Sequence, residues 1–164
     1  MYNNAKTKLA NAGFARYEIS AYAQKGEQCR HNINYWKFGD YLGIGAGAHA
    51  KISDFNNESI TRYSKHRHPK NYLSATSNAS YISSKKEVQE KERIFEFLLF
   101  ALRLIDGFSL TTFENHTGVT ANSLLNCLSP YIKQDLIFYD ENSNFIKPSN
   151  KGLEYQNQIL EQFI

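Results

Sequence analysis

Glu27-Gln-Cys29-Arg30-His31-Asn32-Ile33-Asn34-Tyr35-Trp36-Lys37-Phe38-Gly39 is the stretch on which the reading of this chain turns. Within a dozen positions it holds a thiol, an imidazole, a guanidinium and three aromatic rings. An imidazole or a thiolate can ligate iron axially. Flat aromatic faces can lie along a macrocycle, and an arginine can grip a carboxylate with two parallel hydrogen bonds. Those three capacities are what a haem or porphyrin site requires. The plainer reading of the same residues is a packed loop, with His31 hydrogen-bonded and Trp36 filling a core; on composition alone both stand.

Working outward, residues 2–13 read as a short helix, with Ala5, Leu9 and Ala12 roughly on one face and Gly13 as its stop. Phe14 to Ile19 reads as a strand. Helix, glycine, strand is the second half of a βαβ unit, which is expected to continue a larger sheet upstream. Residues 22–40 read as polar and aromatic loop. Tyr41 to His49, YLGIGAGAH, is not a dinucleotide fingerprint: the glycines of Gly43-Ile-Gly45-Ala-Gly47-Ala lack the GxGxxG spacing, and no helix starts after them to hold a pyrophosphate. The run reads instead as a buried strand where another backbone or a ligand comes close. Lys51 to Ser64 has weak strand character around Ser59 to Ser64, SITRYS, with a turn at Phe55-Asn56-Asn57. His66 to Tyr72 closes this portion, and Ser74 to Ser84 is a linker or a helix start.

The second half is more regular. Lys86 to Ile105 is predicted helical, with Phe95, Leu98, Leu99, Leu102 and Ile105 as its stripe. Ser109 to His116 is a short helix whose Thr111 and Glu114 have capping-box spacing. Thr120 to Gln134 is a helix on Leu124, Leu125, Leu128 and Ile132, in which Pro130 makes the second half weaker. Leu136 to Tyr139 and Asn144 to Lys147 are strands around the turn at 140–143. Ser149 to Phe163 is a last, capped helix. Three helices, a β-ribbon and a helix form a winged-helix-like pattern over 86–164.

Composition narrows the classes. The chain has 164 residues and a formal net charge of +3, divided between +6 over residues 1–70 and −3 over 71–164. A basic front half can meet propionates, phosphates or an acidic membrane surface, or simply solvent. No apolar run approaches the ~18 residues of a membrane-spanning helix, and the N-terminus lacks an apolar signal core. Cys29 and Cys127 are the only cysteines, 98 positions apart; a disulfide framework is not expected and a reducing cytoplasm fits.

Three blocks, Tyr17-Glu-Ile-Ser-Ala-Tyr-Ala, Cys29-Arg-His-Asn-Ile-Asn-Tyr-Trp and Gly39-Asp-Tyr-Leu-Gly-Ile-Gly-Ala-Gly-Ala-His, resemble in order and spacing one stretch of the HemW-type haem chaperones. These belong to the oxygen-independent coproporphyrinogen III oxidase-like radical-SAM proteins. His31 to Trp36 matches the HNxxYW motif associated there with haem binding. The resemblance implies an α+β chain: the closing portion of an incomplete α/β barrel over 1–75, a linker over 76–85, and a winged-helix-like C-terminal domain over 86–164. It implies haem or porphyrin contact by Cys29, Arg30, His31, Asn32, Tyr35 and Trp36, with His31 as the candidate iron ligand. It places His49 at the end of a barrel strand, facing the ligand. The family's [4Fe–4S] cluster and S-adenosylmethionine need a CxxxCxxC motif that this chain lacks, and two cysteines cannot supply three thiolates. The expected partners are haem, the missing N-terminal barrel portion and a haem acceptor or a membrane surface. Open sheet edges lead us to expect self-association, as a dimer or as poor solubility.

Two other readings stay in view. A coproporphyrinogen oxidase would share most of these blocks. A nucleic-acid-binding winged helix would need a basic recognition helix, yet residues 120–135 hold Lys133 as their one cation, balanced by Asp135. Lesser candidates are the His66/His68 pair, which lacks a third metal ligand nearby, His116 as a helix C-terminal partner, and Cys127 as an inert core thiol.

Overall fold

The computed structural model describes residues 2–75 and 78–163; positions 76 and 77, at the start of the linker expected over 76–85, lie outside the described residues. The chain is a mixed α/β protein that divides into two compact units. One is Gly39–Arg93. The other joins Met1–Phe38 to Ile94–Ile164.

The Gly39–Arg93 unit is built on an antiparallel sheet in the order β3 (His49–Asp54), β4 (Ser59–Lys65), β5 (Ile82–Glu87). The β3–β4 hairpin turns where the sequence places it. Asp54 Oδ1 accepts from the backbone N–H of Asn56 and Asn57, so the side chain closes the turn that the backbone begins. β5 is a strand that the sequence does not announce. Ile-Ser-Ser-Lys-Lys-Glu has no alternating apolar face, and every residue of it is exposed. It pairs with β4 at the edge of the sheet, and its Lys85 and Lys86 suit an edge that must not recruit another strand. His68 begins the short helix α3 (Pro69–Leu73), its Nδ1 accepting from the Lys70 N–H, with Pro69 in the first turn.

The other unit opens with α1 (Tyr2–Asn11), which ends at Gly13 as expected. The following strand is only two residues, β1 (Ala15–Arg16), and pairs antiparallel with β2 (Tyr22–Ala23). All strand registers among the described residues are antiparallel, and Ala15–Arg16 pairs with β2 in a small hairpin. The polar loop expected over 22–40 contains a helix, α2 (Arg30–Trp36).

The C-terminal part runs α4 (Glu90–Ala101), β6 (Phe108–Ser109), α5 (Leu110–Thr117), α6 (Ala121–Lys133), β7 (Ile137–Asp140), β8 (Phe145–Pro148), α7 (Asn150–Glu154) and α8 (Gln156–Glu161). β8 lies between β6 and β7. α4 is shorter than expected at both ends: Lys86 and Glu87 belong to β5, and the helix stops at Ala101 short of Ile105; Phe97, Leu98 and Ala101 are buried on it, while Leu99 is exposed. Ser109, not Thr111, caps α5 by accepting from Thr112 N–H. Glu114 does not close a capping box on α5. It accepts from the Ala121 N–H at the start of α6, where an acidic group suits the helix N-terminus. α6 continues through Pro130 to Lys133, with Leu124, Leu128 and Tyr131 buried. The expected last helix is capped by Ser149 and breaks at Tyr155 into α7 and α8.

The core of this unit is a ring cluster. Phe97 is wholly buried and meets Phe108 and Phe113 edge to face at 4.9 and 5.1 Å, with Phe38 against it at 6.2 Å. Edge-to-face pairs add about 0.5–1.5 kcal/mol each beyond their buried area. Phe38 comes from the front of the chain, immediately after α2, so the cluster closes a loop of the chain as well as a core.

Candidate functional site

α2 collects six of the seven residues singled out from the sequence. Cys29 occupies its N-cap position without a side-chain capping bond, and Arg30 to Trp36 form the helix itself. Seven residues rich in aromatic and β-branched side chains make a poor isolated helix. It exists here because its C-terminal end is anchored: Trp36 lies 6.2 Å from Phe100 of α4, and Phe38 stacks on the same ring at 6.3 Å.

The helix therefore has an anchored end and a free one. His31 and Tyr35 stand one turn apart on the same side, and their rings meet edge to face at 4.8 Å. His31 is exposed and makes no hydrogen bond among the described residues. Cys29 and Arg30 are exposed as well, while Asn32, Tyr35 and Trp36 are half-buried. The sequence alternatives thus divide between residues. Trp36 packs, as the plainer reading had it, whereas His31 is not tied into a core. An exposed imidazole with both nitrogens free and an aromatic ring beside it is chemically fit to ligate a haem iron from outside.

Beneath Trp36 lies a polar cluster that the sequence did not disclose. Glu18 is 1 % exposed. Its Oε1 accepts from the N–H and the hydroxyl of Ser20, at 2.8 and 2.6 Å, and its Oε2 accepts from Arg103 Nη2 at 3.0 Å. The Arg103 guanidinium sits 4.5 Å from the centre of the Trp36 ring. Arg103 was hidden by its neighbours, Leu102 and Ile105, which read as one face of a helix. The one available signal was an acidic residue inside the apolar run Tyr17-Glu-Ile.

His49 belongs to the other unit. It is the exposed first residue of β3, paired with Ser64. The glycine run before it is not a buried strand. Tyr41 alone bridges to Lys51, and Leu42 and Ile44 are 77 % and 89 % exposed. The expected close approach of a backbone is real at one position: a Cβ on Gly43 would fall 2.1 Å from the His49 carbonyl oxygen.

Asp40 ties the base of that run to the sheet. Lys51 is buried at 1 % exposure, and its Nζ donates to Asp40 Oδ1 at 2.8 Å and to Ser53 Oγ at 3.2 Å. Burial alone would raise the Asp40 pKa. The hydrogen bonds from Lys51 and from Ser53 N–H and Oγ, with the Lys51 charge, outweigh it and hold the carboxyl below the usual range.

Of the lesser candidates, His68 caps α3, and His116 Nδ1 is paired with the Lys37 carbonyl. Cys29 and Cys127 are both free thiols, exposed and half-buried respectively. No group of three metal-ligating side chains occurs among the described residues, and none of the described helices is long and apolar enough to cross a membrane.

Comparison with known proteins places these features in a family context. Residues 88–153 match the family described as the HemN C-terminal domain. The chain is 40 % identical over 156 residues to the Heme chaperone HemW of Haemophilus influenzae and 35 % identical over 156 residues to that of Escherichia coli, covering 95 % of this chain and 39 % of each relative. It is 31 % identical over its whole length to the mitochondrial Radical S-adenosyl methionine domain-containing protein 1 of Dictyostelium discoideum, of which it covers 41 %. The chain thus spans about two fifths of the length of these relatives. In fold it is similar to the coproporphyrinogen III oxidase HemN of Escherichia coli, described as a radical SAM enzyme, with a TM-score of 0.62 and 15 % identity over 99 % of this chain and 39 % of that one.

Proposed function

We propose that this chain, which is HemW-like over almost its whole length and carries a HemN C-terminal domain, contributes a haem-contacting helix to a haem-binding and haem-transfer protein. The observation that carries the reading is α2: a motif-bearing helix anchored through Trp36 and Phe38, with an exposed His31 edge to face with Tyr35 at its free end. Haem here is cargo. His31 is the iron ligand. Tyr35 and the exposed Arg30 supply a ring face and a charge for the macrocycle and its propionates, with Cys29, Asn32 and Trp36 along the same helix. His49 is a second ligand-facing candidate, on the other unit.

The donor set does not fit the cluster of the radical chemistry. The chain has two cysteines, and three thiolates are needed. In the longer protein that cluster and its S-adenosylmethionine belong to residues outside this chain. Residues 1–75 are part of a barrel domain in that longer protein, and 86–164 form a winged-helix-like domain. The order α4, β6, α5, α6, β7, β8 with β8 central supports the latter. A haem acceptor and the remaining barrel are the partners this reading requires, in the cytoplasm. A coproporphyrinogen oxidase is the less supported alternative, since the likeness to that enzyme is one of fold.

Titration of the purified chain with haemin, followed by the Soret band, tests the proposal. A saturable Soret shift that His31→Ala weakens about tenfold or more is expected. No shift, or equal binding by the variant, removes His31 from the role.

A further inference from the structure

The cluster beneath Trp36 has features that packing alone does not require. Burying a carboxylate is costly unless it is paired and its remaining lone pairs are satisfied. Glu18 meets both conditions through Arg103 and Ser20. The backbone seals the arrangement: Ile19 N–H donates to the Arg103 carbonyl at 3.1 Å and Ile105 N–H to the Tyr17 carbonyl at 3.2 Å. The guanidinium is thus held between the Glu18 carboxylate and an indole ring. Trp36 Nε1 and Arg103 Nε are both buried and find no hydrogen-bond partner. Trp36 is therefore not seated by its polar atom. It is seated by the cation at 4.5 Å and by the Phe100 ring.

The position of Trp36 decides what α2 presents. It is the last residue of a seven-residue helix, and His31 lies five positions before it on the free end. A short helix held at one end by a flat ring can turn about its axis only if that ring leaves its plane. We propose that Glu18 and Arg103 are positioning residues for the haem-contacting helix: the Glu18–Arg103 ion pair seats Trp36, and that seat fixes the direction in which His31 and Tyr35 project. This rests on the haem reading of α2 and names the residues that orient it. Arg103 lies within the HemN C-terminal domain, so the C-terminal domain sets the geometry of a motif near the front of the chain.

Trp36 is the chain's single tryptophan, so its fluorescence reports the seat directly. The test compares the wild type with Arg103→Met, Arg103→Lys and Glu18→Gln, at a temperature where far-ultraviolet circular dichroism shows each one folded. Two quantities are read: the emission maximum and acrylamide quenching of Trp36 without haem, and the haemin affinity from the Soret titration. Arg103→Met is expected to shift the emission to the red, to increase quenching, and to weaken haemin binding about tenfold. The Soret position of the bound form stays, because His31 is intact. Arg103→Lys keeps the cation without the planar fork and falls between the two. Lowered thermal stability with unchanged emission and haemin affinity in Arg103→Met would overturn the proposal, since that is what a merely structural pair would do. If Arg103→Met does not fold, the same readouts on Arg103→Lys and Glu18→Gln decide it, and wild-type values in both overturn it. A wild type that takes up no haemin defeats the haem reading instead. The emission comparison then still decides whether Arg103 seats Trp36.

Discussion

Asp40 and Lys51 show how much one buried cation can ask of a single neighbour. Lys51 Nζ has 2 % side-chain exposure beside an Asp40 carboxyl that is 39 % exposed. Neutralising the carboxyl takes from a buried ammonium the acidic partner that it holds at 2.8 Å. Asp40→Asn is therefore expected to cost about 2–3 kcal/mol, below the roughly 3–5 kcal/mol of a fully buried broken pair because Asp40 is open to solvent screening. The pH dependence has a definite sign. The Asp40 pKa is depressed in the folded state, so its contribution is complete above the unfolded value of about 4 and is lost as pH falls through the folded one. The gap in melting temperature between wild type and Asp40→Asn should be wide at pH 7 and narrow steadily below pH 4. A gap that is constant across that range would show that the ion pair does not carry the difference. None of this was legible in the sequence, where Lys51 stood in a weak strand and Asp40 in a loop. The pairing depends on an eleven-residue separation that no local periodicity records.

At the scale of elements, the parts read correctly were those whose own pattern is strong. The β7–β8 ribbon, the turn between β3 and β4 and the capped start of the last helix came from turn residues, alternation and capping chemistry, all of which act over a few positions. The parts missed were those made by tertiary contacts. α2 is helical because Trp36 and Phe38 have Phe100 to lie on, and β5 is a strand because β4 offers it a ladder. For the candidate site, the sequence identified the residues of α2 but neither its helical form nor the buried pair beneath it. α7 offers a test in which local and tertiary effects have opposite signs. By helix propensity, Gly152→Ala should stabilise by up to about 1 kcal/mol. A Cβ there would instead lie 1.9 Å from the Leu136 carbonyl oxygen, which accepts from Ser149 N–H. Gly152→Ala is expected to destabilise by about 1–3 kcal/mol in urea unfolding as α7 is pushed from the start of β7. A raised midpoint would mean the contact relaxes freely.

For the whole molecule, the two compact units cut across the order of the chain. The division expected at 76–85 concerns ancestry; the units concern packing, and Phe38 is shared property of the tail's core. A piece comprising residues 86–164 alone loses that ring from Phe97 and Phe100. It should unfold at least about 3 kcal/mol more easily than the same segment within the whole chain, by analogy with Phe-to-Ala losses; equal midpoints would show a self-sufficient module. The four most exposed large apolar residues among those described, Leu42, Ile44, Phe55 and Leu73, fall within Gly39–Arg93. Leu42→Ser with Ile44→Ser should reduce self-association in sedimentation velocity, and an unchanged profile would exclude that loop as its cause. The interleaved chain also imposes a timetable on biosynthesis. The Gly39–Arg93 segment can form its sheet as it leaves the ribosome, but Met1–Phe38 must wait for partners that follow it. At about 5–20 residues per second, Trp36 and Phe38 stand uncovered for roughly 3–13 s before Phe97 and Phe100 are both synthesised. During that interval the motif-bearing segment is an unshielded aromatic peptide, and the nascent chain carries exposed rings before it is a folded protein.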